Sequence, residues 1–357
     1  HGFSGRPGRD RKTIPFLPGF SGVYWVRFYW GSYWPMPVCP RGPRLPIWFW
    51  VRGCSVWSTG LDGIRSIPLG MGKRIVPMGD GLWDLFPDGP RFGGATANYA
   101  CHSSILGAEV RMVSGVGKDE RGKTLLEVYQ KHGVKTDLIQ VLPDYPTGVV
   151  QVELTNKGLP TFTIGENAAW DHWEWNEEIE GMVTSADALY FGTLGQRGPS
   201  ARAGIRKALA IAQDQNIPRI LDINLRAPFY DDTLIRDSIA LCSVLKLSDE
   251  ELEEVGQACA LDVSQSNTDA LGELRSKFGL DLVVMTRGAE GAVLIHSEGM
   301  GEHPGVPARV VDTVGAGDSF TASMTLGLLA GQDYSEILSE ACRVAARVCS
   351  HAGAVPG

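Results

Sequence analysis

The sequence predicts an α/β protein whose doubly wound, mostly parallel sheet is flanked by helices and carries a small β-sheet lid. Three observations support this prediction. From Met71 onward, short apolar runs alternate with amphipathic helical segments, as they do in repeated βα units. The runs are nearly continuous in apolar residues, which indicates strands buried on both faces. One later segment alternates polar and apolar residues instead, which indicates a hairpin with one exposed face.

Five apolar runs are predicted as buried parallel strands. They cover residues 74–79, 109–115, 188–194, 219–225 and 282–288. Residues 119–133 form a predicted helix that begins with acidic residues and ends at Gly133, as the helix dipole and a glycine cap favour. Residues 337–348 place four apolar side chains on one face of a final helix. Ligands of such sheets bind beyond the carboxyl ends of the strands.

Residues 148–155 and 159–164 alternate with a period of two around an Asn-Lys-Gly turn. We predict a lid hairpin over roughly residues 145–170. It can cover the crevice, form a dimer surface, or do both, since an exposed sheet invites a partner. A homodimer through the lid sheet is therefore an expectation, and a plain edge hairpin without function is the alternative.

Residues 1–70 differ in composition from the rest of the chain. They hold six of the ten tryptophans but only two acidic residues, Asp10 and Asp62. One interpretation is a disordered or loosely attached arm, including an aromatic interaction segment. The other is a start codon assigned too early, with Met71 as the biological start. We expect the chemistry to lie in a single domain, residues 71–357.

The bulk composition excludes several classes of function. A net charge of −8 disfavours nucleic acid as a partner. The seven cysteines are scattered without a Cys-x-x-Cys pair, which is typical of reduced thiols in a cytoplasmic protein. No uninterrupted apolar stretch reaches the roughly 18 residues of a membrane span. We expect a cytoplasmic protein that binds neither nucleic acid nor membrane.

The strongest chemical signal is Gly-Ala-Gly-Asp-Ser-Phe at residues 315–320. The small residues Gly315, Ala316 and Gly317 allow backbone N–H groups to converge on an anion at a helix N-terminus. In that first turn Asp318 can accept the proton of an attacking hydroxyl while the amides stabilise the developing charge. A simple helix cap is the alternative role for Asp318, and these residues alone leave both open.

Residues 312–320 resemble the C-terminal signature of the ribokinase family, also called the phosphofructokinase-B (PfkB) carbohydrate kinases. Residues 92–107 and 115–122 resemble the family's N-terminal signature. The resemblance covers about residues 73–357. It implies ATP-dependent phosphorylation of a sugar's primary hydroxyl, with Asp318 as the base and the amides of residues 315–317 around the transferring group.

The same resemblance implies roles for further residues. Those implied to contact the sugar are Asp84, Gly93, Gly94 and Asn98. Those implied to lie near ATP are Thr286, Gly288, Gly291, Asn224 and Arg226. Without the resemblance, Asp84 is equally a turn residue, Asn98 a polar residue of a helix start, and Arg226 a partner in a surface ion pair.

The resemblance also implies metal ions. Glu251 is expected to hold Mg²⁺ through water, and Asp312 matches a residue near a K⁺ site in the family. Two departures stand out: Ser248 replaces the usual asparagine of the Asn-x-x-Glu element, and Thr96 replaces a frequent proline. The first departure puts metal handling in doubt.

Residues 165–171 and 191–197 resemble the fructokinase-like branch of the family. Fructose is therefore the first substrate expected, followed by 2-keto-3-deoxygluconate or another sugar. Trp170 and Phe162 can cover a sugar ring or simply belong to the core. The alternative of a different class is a non-catalytic regulatory member that binds sugar or nucleotide. A nicotinamide-dependent dehydrogenase is remote, because no Gly-x-Gly-x-x-Gly turn follows the first strand.

Overall fold

The computed structural model describes residues 70–154, 160–264 and 266–356. The interpretations of the tryptophan-rich segment and of the turn at 156–158 concern residues outside this part, apart from Gly70, and stay predictions. The described strands are β1 Arg74–Met78, β2 Leu82–Phe86, β3 Gly89–Gly93, β4 Glu109–Val110, β5 Ser114–Gly117, β6 Ile139–Leu142, β7 Gly148–Leu154, β8 Pro160–Ile164, β9 Ala188–Gly192, β10 Arg219–Asp222, β11 Val244–Ser248, β12 Leu282–Thr286, β13 Ala292–His296 and β14 Gly299–His303. The described α-helices are α1 Ala95–Ile105, α2 Glu120–Lys131, α3 Glu177–Thr184, α4 Pro199–Asp214, α5 Asp232–Leu241, α6 Leu252–Cys259, α7 Asn267–Phe278, α8 Ala316–Leu329 and α9 Tyr334–Cys349.

The main sheet has the strand order β14-β13-β12-β11-β10-β9-β1-β4. The six strands from β12 to β4 run parallel, so the predicted mostly parallel sheet is confirmed. The last two strands, β13 and β14, add an antiparallel edge that the sequence reasoning did not include. The predicted strand 109–115 is wrong as one element, because β5 leaves the main sheet and pairs with β6.

Helices cover both faces of the main sheet, as a doubly wound fold requires. Within one strand the side chains alternate between these faces. In β12, for example, Val283 and Met285 pack with residues of α3 to α7, whereas Leu282 and Val284 pack with residues of α1, α2, α8 and α9. The strands read as continuous apolar runs because each of their faces is buried. None of the described helices is long and apolar enough to cross a membrane.

The small sheet has the order β3-β2-β7-β8. The predicted hairpin is confirmed as β7 and β8, which pair antiparallel. A second hairpin, β2 with β3, joins it through a parallel pairing of β2 with β7. Val150 and Val152 pack with Leu82 on one face, and the Phe162 side chain on β8 is 59% exposed.

A buried ion pair ties the end of β8 to the body of the domain. Arg197 forms two 2.8 Å hydrogen bonds to the carboxylate of Asp171 and a third to the carbonyl of Gly165. Its guanidinium also lies 4.0 Å from the ring centre of Trp170. Trp170 is fully buried, so it belongs to the core rather than to an open sugar surface.

Candidate active site

Charged and polar side chains gather where the parallel strands end. Asp222 closes β10, Lys246 and Ser248 lie at the end of β11, and Thr286 closes β12. Asp80 follows β1 by two residues. The carboxyl ends of parallel strands meet at one edge of a sheet, and this edge faces the first turns of α1 and α8 through the contacts described below.

The side chains of Asn98 and Asp318 meet at this edge. The Nδ2 of Asn98, on α1, donates a 2.8 Å hydrogen bond to Oδ2 of Asp318, on α8. No side chain caps the start of α8. The carboxylate of Asp318 is therefore engaged with a side chain of the opposite helix, which differs from the helix-cap alternative.

Asp318 is an unusual carboxyl group. Its pKa is raised to about 7, first by burial and then by the nearby negative charge of Asp222, although the Asn98 hydrogen bond and the positive charge of Lys246 act to lower it. A carboxylate whose pKa lies near neutrality is well matched to taking a proton from a hydroxyl.

The two glycines of the Gly-Ala-Gly-Asp sequence lie in different surroundings. Gly315 precedes α8 with φ of 79°, a left-handed conformation that favours glycine. A Cβ on Gly315 would lie 2.2 Å from the carbonyl oxygen of Ala354, and one on Gly317 would lie 3.2 Å from Nζ of Lys246. The N–H of Ala316 donates a 3.3 Å hydrogen bond to the carbonyl of Thr313. Those of Gly317 and Asp318 lie in the first turn, where a helix offers them no acceptor. They are available to an anion.

The C-terminal segment closes one side of this turn. Nε2 of His102, on α1, donates a 2.9 Å hydrogen bond to the carbonyl of Ala354. Burial lowers the pKa of His102 to about 4, so the ring is neutral at physiological pH. Asp312 accepts hydrogen bonds from the backbone N–H groups of Val314 and Gly353 at 3.1 and 3.0 Å, which holds the loop before α8 against the same segment.

A buried ion pair lies beneath the start of α8. Nζ of Lys246 is 3.1 Å from Oδ1 of Asp222, and the two residues are 7% and 1% exposed. The hydroxyl of Thr321 donates to Oδ2 of Asp222 at 3.1 Å. The sequence reasoning missed this pair. The sequence did contain an indication of it: Lys246 stands within an apolar strand run, where a charged residue is rarely buried without a partner.

Asp80 was also missed, and it organises the start of α1. Its carboxylate accepts hydrogen bonds from the backbone N–H of Ala95 at 2.8 Å and from the hydroxyl of Thr96 at 2.7 Å. A Cβ on Gly94, whose φ is 103°, would lie 3.0 Å from the same carboxylate. The threonine that departs from the family's frequent proline therefore gains a hydrogen bond here.

Asp84 lies on β2, in the small sheet, rather than at the end of β1. A Cβ on Gly93 would lie 2.2 Å from Oδ2 of Asp84, so this glycine makes room for the carboxylate. The pKa of Asp84 is raised to about 6 by burial and by the negative charge of Asp80, although the guanidinium groups of Arg226 and Arg91 act to lower it. Arg226, predicted on the nucleotide side, is thus electrostatically coupled to the sugar-side aspartate.

The predicted nucleotide residues lie at the ends of two strands. Gly288 and Gly291 have φ of 53° and 78° in the turn after β12. A Cβ on Gly291 would lie 2.0 Å from the carbonyl of His303, which fixes this turn against β14. Asn224 has φ of 40° in the loop after β10. Among the described residues no carboxylate pairs with the exposed Arg226, whose Nη1 donates to the carbonyl of Leu225.

Glu251 joins the same loop to the end of β11. Its Oε1 accepts a 2.8 Å hydrogen bond from the N–H of Leu225, and its Oε2 accepts from the N–H and the hydroxyl of Ser248 at 2.8 and 3.1 Å. The described residues contain no cluster of three or more His, Cys, Asp or Glu side chains that can hold a metal ion directly. A fixed carboxylate with lone pairs to spare suits instead the water shell that Mg²⁺ retains.

The fold and this edge define a class of protein, a sugar kinase of ribokinase-like fold. The sequence model of the pfkB family carbohydrate kinases matches residues 89–357, and the chain belongs to that family.

Curated relatives carry several names. The aminoimidazole riboside kinase of Salmonella typhimurium is 29% identical over 266 residues, which cover 72% of this chain and 81% of that protein. A fructokinase of Rhizobium leguminosarum bv. trifolii is 28% identical over 280 residues, covering 74% and 82%. An ATP-dependent 6-phosphofructokinase of Thermoanaerobacterium thermosaccharolyticum is 27% identical over 270 residues, covering 74% and 80%.

Solved structures agree with the fold. The aminoimidazole riboside kinase from Salmonella enterica, complexed with aminoimidazole riboside and an ATP analogue, matches with a TM-score of 0.66 and 25% identity over 79% of this chain and 95% of that one. The fructokinase from Xylella fastidiosa with bound ATP matches with a TM-score of 0.70 and 23% identity, covering 79% and 94%.

Proposed function

We propose that this protein transfers the γ-phosphoryl group of ATP to a primary hydroxyl of a sugar, with fructose as the first candidate and fructose 6-phosphate as its product. The observation that supports this most directly is the Asn98 to Asp318 hydrogen bond beside the start of α8. It joins the amide that we assign to the sugar with the carboxylate that we assign as the base, in the first turn of the helix that we assign to the phosphoryl group.

In this mechanism the sugar hydroxyl oxygen attacks the γ-phosphorus and ADP leaves from the opposite side. Asp318 accepts the hydroxyl proton, which its near-neutral pKa allows. Of the amides predicted at residues 315–317, that of Gly317, together with the N–H of Asp318 and the positive end of the α8 dipole, would stabilise the charge on the phosphoryl oxygens. Asp84 and Asn98 orient the sugar, and the small sheet excludes water as a competing acceptor.

On the nucleotide side, we assign the turn at Thr286, Gly288 and Gly291 and the loop at Asn224 and Arg226 to ATP. Glu251 would hold Mg²⁺ through water, since its carboxylate is fixed by backbone N–H groups. Magnesium supplies charge neutralisation on the phosphates when bound. Asp312 would help to hold K⁺ in the loop before α8.

Fructose is chosen as the first candidate from two segments of the sequence and from the relatives. Residues 165–171 and 191–197 resemble fructokinases, and fructokinases are among the relatives. The relatives named for aminoimidazole riboside and for fructose 6-phosphate make those compounds worth testing beside 2-keto-3-deoxygluconate. We also expect a cytoplasmic enzyme, because the five described cysteines are free, and a dimer through the exposed face around Phe162.

The test is ADP release by the full chain with Mg-ATP and a panel of acceptors. The panel contains fructose, ribose, glucose, 2-keto-3-deoxygluconate, aminoimidazole riboside, fructose 6-phosphate and adenosine, and Asp318→Asn is the control. Turnover on one acceptor that collapses in the control supports the proposal and names the substrate. If ATP binds but no acceptor raises ADP release above the control, the regulatory alternative replaces it.

A further inference from the structure

The Lys246 and Asp222 pair has no role in the mechanism above, yet it occupies a costly position. Burying an ion pair requires desolvation of both charges, and such pairs often add nothing to stability compared with apolar residues. Here both residues are more than nine-tenths buried. They also lie at the edge of the sheet where the proposed chemistry takes place, which suggests a functional reason for keeping them.

The location of the ammonium group is specific. A Cβ on Gly317 would lie 3.2 Å from Nζ of Lys246, so the ammonium sits directly against the first turn of α8. That turn already presents the positive end of a helix dipole. A cation placed there is repelled by the positive end of the helix. Asp222 offsets this repulsion, and an anion bound at the turn would be attracted by both positive features.

The ammonium group of Lys246 also has donors left for an anion. An ammonium group has three donors, and among the described residues Lys246 uses one of them, on Asp222. Thr321 ties the pair to the helix, since its hydroxyl lies 3.1 Å from Asp222 and 2.9 Å from the carbonyl of Gly317. The pair and the anion-binding turn therefore form one connected unit.

We propose that Lys246 is a further residue of the phosphoryl-transfer site, whose ammonium group, held by Asp222 beside Gly317, supplies positive charge to the γ-phosphoryl group. This inference rests on the proposed function, because it assumes that ATP is the donor. Asp222 is the positioning residue, which orients the ammonium and balances its charge when no phosphate is present. The nearby charge of Lys246 also counteracts the upward shift of the Asp318 pKa.

If Lys246 contacts the γ-phosphoryl group, its removal should weaken the binding of a nucleoside triphosphate more than the binding of ADP. The full chain, with magnesium, is titrated by calorimetry with ADP and with the non-hydrolysable ATP analogue AMP-PNP. We expect Lys246→Met to weaken AMP-PNP binding by about tenfold or more, the loss typical of a hydrogen bond to a charged group, while ADP binding changes less than about twofold. The surface variant Lys207→Met, which removes the same charge from an exposed ion pair with Glu180, should change neither.

Lys246→Met leaves the Asp222 carboxylate buried without its partner, which can prevent folding. The double variant Lys246→Gln/Asp222→Asn replaces the ion pair by a neutral amide pair and answers the same question. Thermal unfolding monitored by circular dichroism establishes that each variant is folded before the titration. In the folded double variant the preference for AMP-PNP over ADP should be lost.

The nucleotide titrations and the phosphorylation assay test the role of Lys246 and the proposed function separately. If a folded variant without Lys246 keeps the wild-type ratio of AMP-PNP to ADP affinity, or loses both affinities equally, Lys246 has a structural role and the inference is wrong. If the wild-type chain binds nucleotide but phosphorylates no acceptor, the proposed function fails while the ratio still decides the role of Lys246. If the wild-type chain binds neither nucleotide, both are overturned.

Discussion

The side-chain amide of Asn98 and the carboxylate of Asp318 are joined by a 2.8 Å hydrogen bond, although 220 positions separate the two residues in the chain. The bond connects the first turn of α8 to α1, whose start is held by Asp80. Asn98, predicted to contact the sugar, therefore touches the proposed base directly.

Asp318→Asn removes the proposed base while preserving the size of the side chain. We expect kcat to fall by about 10²- to 10⁴-fold, the usual contribution of a general base. Because the pKa of Asp318 is raised in the folded state, the folded protein binds more protons than the unfolded chain between about pH 4 and 7, and stability decreases as pH rises through that window. The variant should therefore melt no lower than wild type at pH 8, and an activity loss accompanied by unfolding would not support the assignment.

The dependence of kcat/KM on pH should report Asp318. The base is active when ionised, so the rate should rise with pH through a midpoint near the pKa of about 7 and level off above it. The Asn98 hydrogen bond lowers this pKa, so Asn98→Ala should move the midpoint upward, whatever it does to KM. Asn267→Ala, at an exposed position in α7, should leave the midpoint in place; an unmoved midpoint in Asn98→Ala would argue against the coupling.

The two glycines before Asp318 should respond differently to alanine. Gly315→Ala imposes a left-handed φ on a residue with a Cβ, at a cost of roughly 1–2 kcal/mol, and places that Cβ 2.2 Å from the Ala354 carbonyl. We expect a lower melting temperature together with lost activity. Gly317→Ala meets only the flexible end of Lys246 at 3.2 Å, so we expect near-normal stability with reduced kcat.

Gly272→Ala is the matched control for the glycine variants, because nothing lies within 4 Å of a Cβ at that position of α7. An alanine there should stabilise the helix by up to about 1 kcal/mol. Equal losses of stability in Gly315→Ala and Gly317→Ala would contradict the difference between the contacts around the two glycines.

Magnesium dependence should single out Glu251. Glu251→Gln replaces one carboxylate oxygen by an NH₂ group. That group then faces a backbone N–H that donates to the oxygen in the wild type. We expect the magnesium concentration for half-maximal activity to rise on the order of tenfold, since altered outer-shell partners cost 10- to 100-fold in metal sites. Ser248→Ala keeps the backbone hydrogen bond and should have a much smaller effect. The exposed neighbour variant Glu250→Gln serves as the control, and a magnesium requirement equal in all three variants would contradict the role of Glu251.

The Arg197 and Asp171 pair should matter for stability. Asp171→Asn leaves a buried guanidinium without its counter-charge, which typically costs about 3–5 kcal/mol. Urea unfolding measures the change. Asp237→Asn, in the partly exposed pair with Arg206, should cost no more than about 1 kcal/mol. Comparable losses in the two variants would mean that burial does not distinguish the pairs.

The parallel sheet was predictable because burial on both faces leaves a sequence signature of continuous apolar runs. The boundary between β4 and β5 was not, since Met112 and Val113 are themselves fully buried and continue the apolar run between two different sheets. The second hairpin, β2 with β3, was missed although Pro87, Asp88 and Gly89 mark a turn, because the Leu-Trp-Asp-Leu-Phe sequence of β2 does not alternate polar and apolar residues.

The site was partly predictable. Asp318 and Asn98 come from the two sequence signatures, and the structure brings their side chains together. Their roles stay predictions until they are tested by substitution. Lys246, Asp222 and Asp80 were given no role in the sequence analysis, and only the fold shows that their charges converge at one edge. Charged residues inside apolar strands are the sequence feature that would have found them.

The contact between Gly315 and Ala354 determines when the start of α8 can assemble during synthesis of the chain. Synthesis proceeds from the N-terminus, and domains assemble as the chain emerges. A nascent chain that has released Asn98 still lacks Asp318, and one that has released Asp318 still lacks the segment that His102 holds against the start of α8. A nascent chain therefore cannot assemble the proposed base together with the turn at the start of α8 until the segment around Ala354 has emerged.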